Sequence, residues 1–339
     1  MPLQVLQGNQ ETLKDMDPNM TKGHNLSCNC SIDDFKCSVY PVTYLVIFAV
    51  GLLGNTVSLY IFARVCKKWT SVNLYMMNLL ISDLMLVCSL PFRVSYYMMD
   101  VYWVFGDIMC RVISYIFYIN MYCSIYFLMV LSIMRYLAIA HPYKYVKLQT
   151  GNSAKVVCFV VWFFVALAST PLLSAGSEVD RDKIKCLELG TTHVSTIIVM
   201  NYVVAFVGFV VPFLVISFCY FHVVRSLLKP RDTQKKRPCY KKSTALVIIV
   251  LCIFLVCFLP YHLVRTLFLE AERQAAQDCE SCDYIILIRK AAVLTLCLAA
   301  GNSCLDPLLF FFIGENFRGW WREKTRTTEL KELNSKEPQ

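Results

Sequence analysis

Apolar residues in this chain gather into seven long blocks separated by short polar intervals. The blocks lie at about 41–65, 73–99, 108–140, 153–174, 195–228, 243–269 and 285–313. Most reach the ~20 residues that carry a helix across the hydrocarbon core of a bilayer. None alternates strictly as a membrane barrel strand would, and lipid offers an unpaired peptide group no partner. The pattern therefore predicts an all-α fold, a bundle of seven transmembrane helices. It leaves a polar N-terminal tail (1–40), a membrane domain (41–313) and a cytoplasmic tail (314–339), which is expected to open with a short amphipathic helix.

Composition agrees. The 339 residues are 57% hydrophobic and 17% charged, against roughly a quarter charged in soluble domains. The charges sit at block ends and set the orientation. Lys229, Arg231, Lys235, Lys236, Arg237, Lys241 and Lys242 fill the fifth interval, with Lys67 and Lys68 in the first and Arg318 and Arg322 in the tail. The intervening loops carry Asp100, Asp107, Glu178, Asp180, Glu270 and Glu272. Positive charge marks the cytoplasmic side, so the N-terminus is expected outside. The net charge of +9 is then a topology signal and does not call for nucleic acid. No cleavable apolar leader precedes the first block, so helix one is expected to start translocation itself. Three glycosylation sequons, at Asn19, Asn25 and Asn29, crowd the outer tail. Cys28, Cys30, Cys37, Cys110, Cys186, Cys279 and Cys282 are expected outside, where disulfides form. Their number is odd, so one thiol stays unpaired or the pairing is incomplete.

Polar groups inside a membrane are costly and need a partner or a task. Asp83, Ser124, Asn302, Ser303 and Asp306 fall near the middle of their blocks. Two carboxylates among hydroxyls and amides suit a small hard cation or shared protons; the alternative is a hydrogen-bonded network that holds the helices in register. Pro91, Pro171, Pro212, Pro260 and Pro307 each interrupt a block and permit a kink. In the sixth block His262 and Arg265 stand at i and i+3, on one face, just after Pro260. With Arg93, Arg289 and Lys290 they can ring the outer mouth of the bundle, and cations there suit an anionic ligand. Tyr118 and Tyr122 add hydroxyls and aromatic walls. The plainer reading has Arg265 snorkelling to lipid headgroups. Nothing pairs a nucleophile with a base, so an enzyme is not expected. A secondary transporter of an organic anion is the rival class, but it would show internal repeats and broken helix pairs.

Taken in order, GLLGN, NLLISD, Cys110, IMRY, Trp162, Pro212 with Tyr220, FLVCFLP and NSCLDPLLF resemble the rhodopsin-like G-protein-coupled receptors. SLPFR, YIFYINMYCSIYF, PYHLVRT and GENFR resemble the branch holding nucleotide and cysteinyl leukotriene receptors, and NCSIDDF, GSEVDRDKIKCLEL and MNYV look most like the leukotriene receptors. The resemblance implies disulfides Cys110–Cys186 and Cys30–Cys282. It implies an allosteric sodium site at Asp83, Ser124, Asn302 and Asp306. It casts Arg135 and Tyr220 as the G-protein activation pair, with Phe254, Phe258 and Pro260 transmitting the signal. The ligand set would be Arg93, Tyr118, Tyr122, His262, Arg265 and Lys290. The implied ligand is a cysteinyl leukotriene, with nucleotides or small dicarboxylates as alternatives. The implied cytoplasmic partners are a heterotrimeric G protein of the Gq class, acting through calcium, and arrestin. Phe117 stands where amine receptors keep an aspartate, and Ala300 where opsins keep their retinal lysine. Two departures touch the signalling machinery: Met134 replaces the acid that usually restrains Arg135, and Phe310 replaces the tyrosine of the last motif.

Overall fold

The computed structural model describes residues 30–65, 70–173, 178–180, 183–186, 194–228, 248–275 and 282–313. The three sequons, Cys28, Cys279, the basic fifth interval and the helix expected after residue 313 lie outside these residues.

Among the described residues, seven helices are long and apolar enough to cross a membrane. Helix one is Asp33–Val65, helix two Ser71–Met98, helix three Gly106–Ala140 and helix four Gly151–Ser169. A short helix, Pro142–Leu148, links three to four. Helix five comprises Val194–Ala205, a π turn at Phe206–Val210, and Val211–Leu228. Helix six begins by Ile248 and carries a π turn at Phe254–Phe258 before Leu259–Ala275. Helix seven is Cys282–Ala300 and Asn302–Ile313, broken at Gly301. Caps mark two starts: Thr70 accepts from the Asn73 N–H at 3.3 Å, and Thr150 from that of Ser153 at 3.4 Å. A β-ribbon, β1 Glu178–Asp180 antiparallel to β2 Lys183–Lys185, adds to the all-helical expectation.

Helix one starts at Asp33, not near residue 41. Asp33 and Asp34 occupy its first turn, where the helix dipole favours negative charge, and the Asp33 N–H donates to Ser31 Oγ at 3.3 Å. Pro41 sits inside the helix. The polar run from Asp33 to Ser38 reads as tail because it lacks apolar periodicity, yet it rises out of the lipid as helix.

The π turns have a common cause. Pro212 and Pro260 each have no N–H and crowd the carbonyl four residues back. The Val211 N–H instead reaches Phe206 O and the Leu259 N–H reaches Phe254 O, five residues back. The extra residue per turn re-aims the side chains of both helices.

Glycine allows the closest approach. A Cβ on Gly51 would lie 2.8 Å from Val87 Cγ2, so helix one meets helix two almost backbone to side chain. Asn55 fastens the same region to helix seven, donating to Gly51 O at 2.8 Å and Ser303 O at 2.9 Å. Outward faces are apolar; Phe159 and Phe163 of helix four stack in the lipid-facing layer.

One end of the bundle is stapled. Cys110 of helix three is bridged to Cys186, just after β2, with 5.9 Å between Cα atoms. The Trp103 N–H donates to Ile184 O at 2.8 Å, which closes the ribbon onto the loop between helices two and three. Val101, buried and β-branched, holds a left-handed φ of 61° in that loop, a conformation that only dense surroundings sustain. Cys30 is bridged to Cys282 at the start of helix seven. Cys37 is a free thiol.

Arg289 belongs to this staple rather than to a ring of cations at the mouth. Its guanidinium forks Glu272 of helix six at 2.6 and 2.8 Å and donates to Cys30 O at 2.6 Å. Both ionic side chains are about three-quarters covered. The guanidinium thus ties helices six and seven to the N-terminal segment beside the Cys30–Cys282 bridge. Arg289→Gln and Glu272→Gln should each lower the thermal-inactivation midpoint of the purified protein, reflecting roughly 1–3 kcal/mol. The double variant should lose little more than either single one. Unchanged thermal stability in both single variants would show that the pair does not clasp these helices.

Candidate functional site

Polar side chains inside the bundle occupy three levels. At the disulfide end, Arg93 comes from helix two and Arg265 from helix six. Arg93 is buried, with its guanidinium carbon 4.3 Å from the centre of the Phe117 ring. One long bond of 3.4 Å runs from its Nη2 to Ile113 O, and its Nε has no hydrogen-bond partner among the described residues. Tyr44 lies beside it with its hydroxyl buried and facing the guanidinium. Arg265 is half-buried, 5.5 Å from the centre of the Phe268 ring. Tyr118, Tyr122, Tyr261 and Tyr40 surround it. Tyr40 and Tyr118 are also within electrostatic range of Arg93 or of Tyr44 beside it. Neither arginine faces a carboxylate among the described residues. Ring contacts worth about 0.5–2 kcal/mol do not replace the anion that a desolvated guanidinium prefers.

The other residues read as a ligand set divide. His262 is buried, stacked on Phe209 at 4.7 Å, with Nε2 unpaired. Tyr122 lies 6.0 Å from the imidazole, ring centre to ring centre. The Tyr122 ring fits because helix five offers Gly208, where a Cβ would fall 2.7 Å from it. Lys290 is exposed and rests 5.4 Å over the Phe35 ring, toward the N-terminal segment. It stands at the rim.

Below the histidine the rings continue. Phe209 stacks on Phe254 at 6.0 Å, and Phe254 meets Phe258 edge-on at 5.4 Å. Phe254 and Phe258 are fully buried, within and at the end of the π turn that precedes Pro260. Phe209 sits on the matching π turn of helix five.

The middle level is oxygen-rich. Asp83, Ser124, Asn302 and Asp306 are all completely buried. Asn120 donates to Asp83 Oδ1 at 3.0 Å and to Ser82 Oγ at 3.2 Å. Ser124 lies one turn further along helix three, on the same face. Asn302 Nδ2 reaches Asp306 Oδ2 at 3.5 Å, and the two carboxyls face each other. Ser124 Oγ and Asn302 Oδ1 are left without hydrogen-bond partners among the described residues, and the facing Asp83 and Asp306 can share a proton or a cation between them. Such a donor set, oxygen only with two acids, fits a small hard cation.

At the far end Arg135 is partly buried with no hydrogen bond or ion pair among the described residues, and Met134 beside it is buried. The Tyr220 hydroxyl meets Ser132 Oγ at 2.8 Å. Phe310 packs edge-on against Phe62 at 5.6 Å, so the place of the missing tyrosine is filled by a ring contact.

Sequence reasoning missed Tyr40, Tyr44, Tyr261, Phe209, Asn120 and Ser132. Asn120 and Ser132 carried a usable signal, being amide and hydroxyl groups in an apolar block. The aromatic residues did not, since rings in a membrane helix are ordinary lipid-facing and core material.

Comparison with known proteins bears on the whole bundle. The family model described as 7 transmembrane receptor (rhodopsin family) matches residues 54–310. Cysteinyl leukotriene receptor 2 of Sus scrofa is 46% identical over 309 residues, which is 91% of this chain and 88% of that protein. Its Homo sapiens counterpart is 42% identical over 308 residues, 91% of this chain and 87% of that protein. Cysteinyl leukotriene receptor 1 of Cavia porcellus is 38% identical over 305 residues, 89% of this chain and 88% of that protein. The seven spans, the two stapled cysteine pairs and this similarity along nine-tenths of the chain lead to one family. The chain belongs to the rhodopsin family of seven-transmembrane receptors.

Proposed function

We propose that this plasma-membrane receptor takes a cysteinyl leukotriene from outside and activates a heterotrimeric G protein of the Gq class, with its N-terminus extracellular. The observation that carries the ligand class is the pair Arg93 and Arg265, two covered guanidinium groups with no carboxylate partner among the described residues and with tyrosines near each. A cysteinyl leukotriene, with carboxylates on a small peptide head and a lipid tail, supplies both the missing anions and an apolar chain for the aromatic walls. The relatives named above bear that ligand in their names. Lys290 at the rim would meet the ligand first, and Tyr118, Tyr122 and His262 would orient it.

A ligand shifts a conformational equilibrium only by binding one state better. The head group held by Arg265 pulls on helix six, and His262, one turn deeper, presses on Phe209 and through it on Phe254 and Phe258. The two π turns, each next to a proline, are where these helices can bend. Far-end opening would expose Arg135 to the G protein. The spatial chain of rings supports this route; measured coupling would establish it.

A sodium ion among Asp83, Ser124, Asn302 and Asp306 would hold helices two, three and seven together in the resting state. It would supply positive charge to two facing acids. Sodium should therefore weaken agonist binding, and Asp83→Asn should blunt that dependence by removing one of the acids. Radioligand competition across sodium concentrations checks it; unchanged sodium sensitivity in the variant would leave a purely structural network.

For the ligand site, Arg265→Ala and Arg93→Ala should each reduce agonist potency at least tenfold at matched surface expression. Truncating a covered charge-assisted contact costs roughly 2–5 kcal/mol. Arg265→Lys should recover only part of the loss, because an ammonium keeps the charge and loses the fork. Calcium dose–response curves with leukotrienes, nucleotides and dicarboxylates side by side provide the measurement. Wild-type potency in both alanine variants would place the anion site elsewhere.

A further inference from the structure

The far end of the bundle lacks two polar partners at once. Met134 cannot ion-pair with Arg135, and Phe310 cannot offer Tyr220 a hydroxyl. The Tyr220 side chain is nevertheless fixed. It is buried on helix five, and its hydroxyl meets Ser132 of helix three at 2.8 Å. Ser132 is itself completely buried and donates to Leu128 O at 2.8 Å. A serine hydroxyl has a single proton, so Ser132 donates to Leu128 O or to the Tyr220 oxygen at any one time, and the Tyr220 bond competes with the helix's own carbonyl. Ser132 and Arg135 stand at i and i+3 on one face of helix three, about 4.5 Å apart along its axis. Tyr220 can therefore engage one or the other, and here it engages Ser132 while Arg135 has no polar partner among the described residues.

We infer that the Ser132–Tyr220 hydrogen bond is the resting-state latch of this receptor, standing in for the absent acid beside Arg135. The exclusion is positional: a hydroxyl held at Ser132 has to shift by about one helical turn to accept from Arg135. Breaking the bond releases it to the arginine. The two partners, one helical turn apart, make a two-position element, and a gap the size of one buried hydrogen bond sets the balance. The inference rests on the receptor reading above and assigns it a point of regulation.

The sign of the effect tests it. A bond that merely supports the fold would, on removal, lower activity; a latch would raise it. Ser132→Ala should increase ligand-free G-protein activation about two- to tenfold over wild type at matched surface expression, the range set by one net hydrogen bond. In a Tyr220→Phe background, where no latch exists to break, Ser132→Ala should add nothing. Ligand-free dissociation of a panel of heterotrimeric G proteins supplies the readout. A fluorophore near Ile248 on purified receptor reports helix-six opening with no G protein present. Both readouts are ligand-free, so an inert leukotriene would count against the ligand reading and leave this comparison intact. Ligand-free activation and opening at or below wild type in Ser132→Ala would overturn the latch, as would an equal rise in the Tyr220→Phe background.

Discussion

Lipid gives a buried charge nowhere to go, and this constraint organises the molecule. Every polar side chain that the helices carry into the interior must find a partner there or be kept for one that arrives. Asn55 meets two carbonyls, Asn120 meets Asp83, and Arg289 meets Glu272. Among the described residues Arg93 and Arg265 lack a carboxylate, and Ser124 and Asn302 beside the facing Asp83 and Asp306 remain short of partners. The incomplete groups have opposite signs and sit at different levels. The upper one has the charge to meet an anion, and the middle one the oxygens to meet a cation, as proposed above.

Between these levels lies aromatic packing rather than polar contact. The His262–Phe209 stack and the Phe254–Phe258 edge contact pass through two π turns that exist because proline denies helices five and six an ordinary turn. Close-packed rings have discrete arrangements and do not deform gradually. A bend at either π turn must therefore repack the rings as a set, which suits a receptor that has to be closed or open. At the disulfide end, the Cys30–Cys282 bridge and the Arg289–Glu272 pair keep helices six and seven together. Motion of helix six is accordingly freest at the far end, where Ser132 and Tyr220 meet.

Much of this was legible in the residues because a membrane makes polar groups conspicuous. Seven apolar blocks give seven helices, and Asp83, Arg93, Arg265 and Asp306 stand out inside them. What could not be read depended on pairing. Arg289 looked like Lys290, its neighbour in sequence, and only the fold shows one clasped by Glu272 and the other at the rim. The start of helix one at Asp33 was hidden because a helix leaving the lipid no longer needs apolar periodicity. Phe209 was hidden because a π turn shifts its facing by a residue, which no 3.6-residue pattern anticipates. Ser132 is conspicuous as a hydroxyl in an apolar block, but its partner Tyr220 is visible only in the fold.

The central claim is that Arg93 and Arg265 together receive a ligand's negative charge. Its most direct measurement is equilibrium binding of a cysteinyl leukotriene and of its neutral carboxyl ester to purified wild type, Arg93→Gln and Arg265→Gln. Wild type should prefer the acid over the ester by more than about tenfold, the scale of one charge-assisted contact, and the preference should shrink sharply in each variant. A preference for the acid that survives undiminished in both variants would contradict the account.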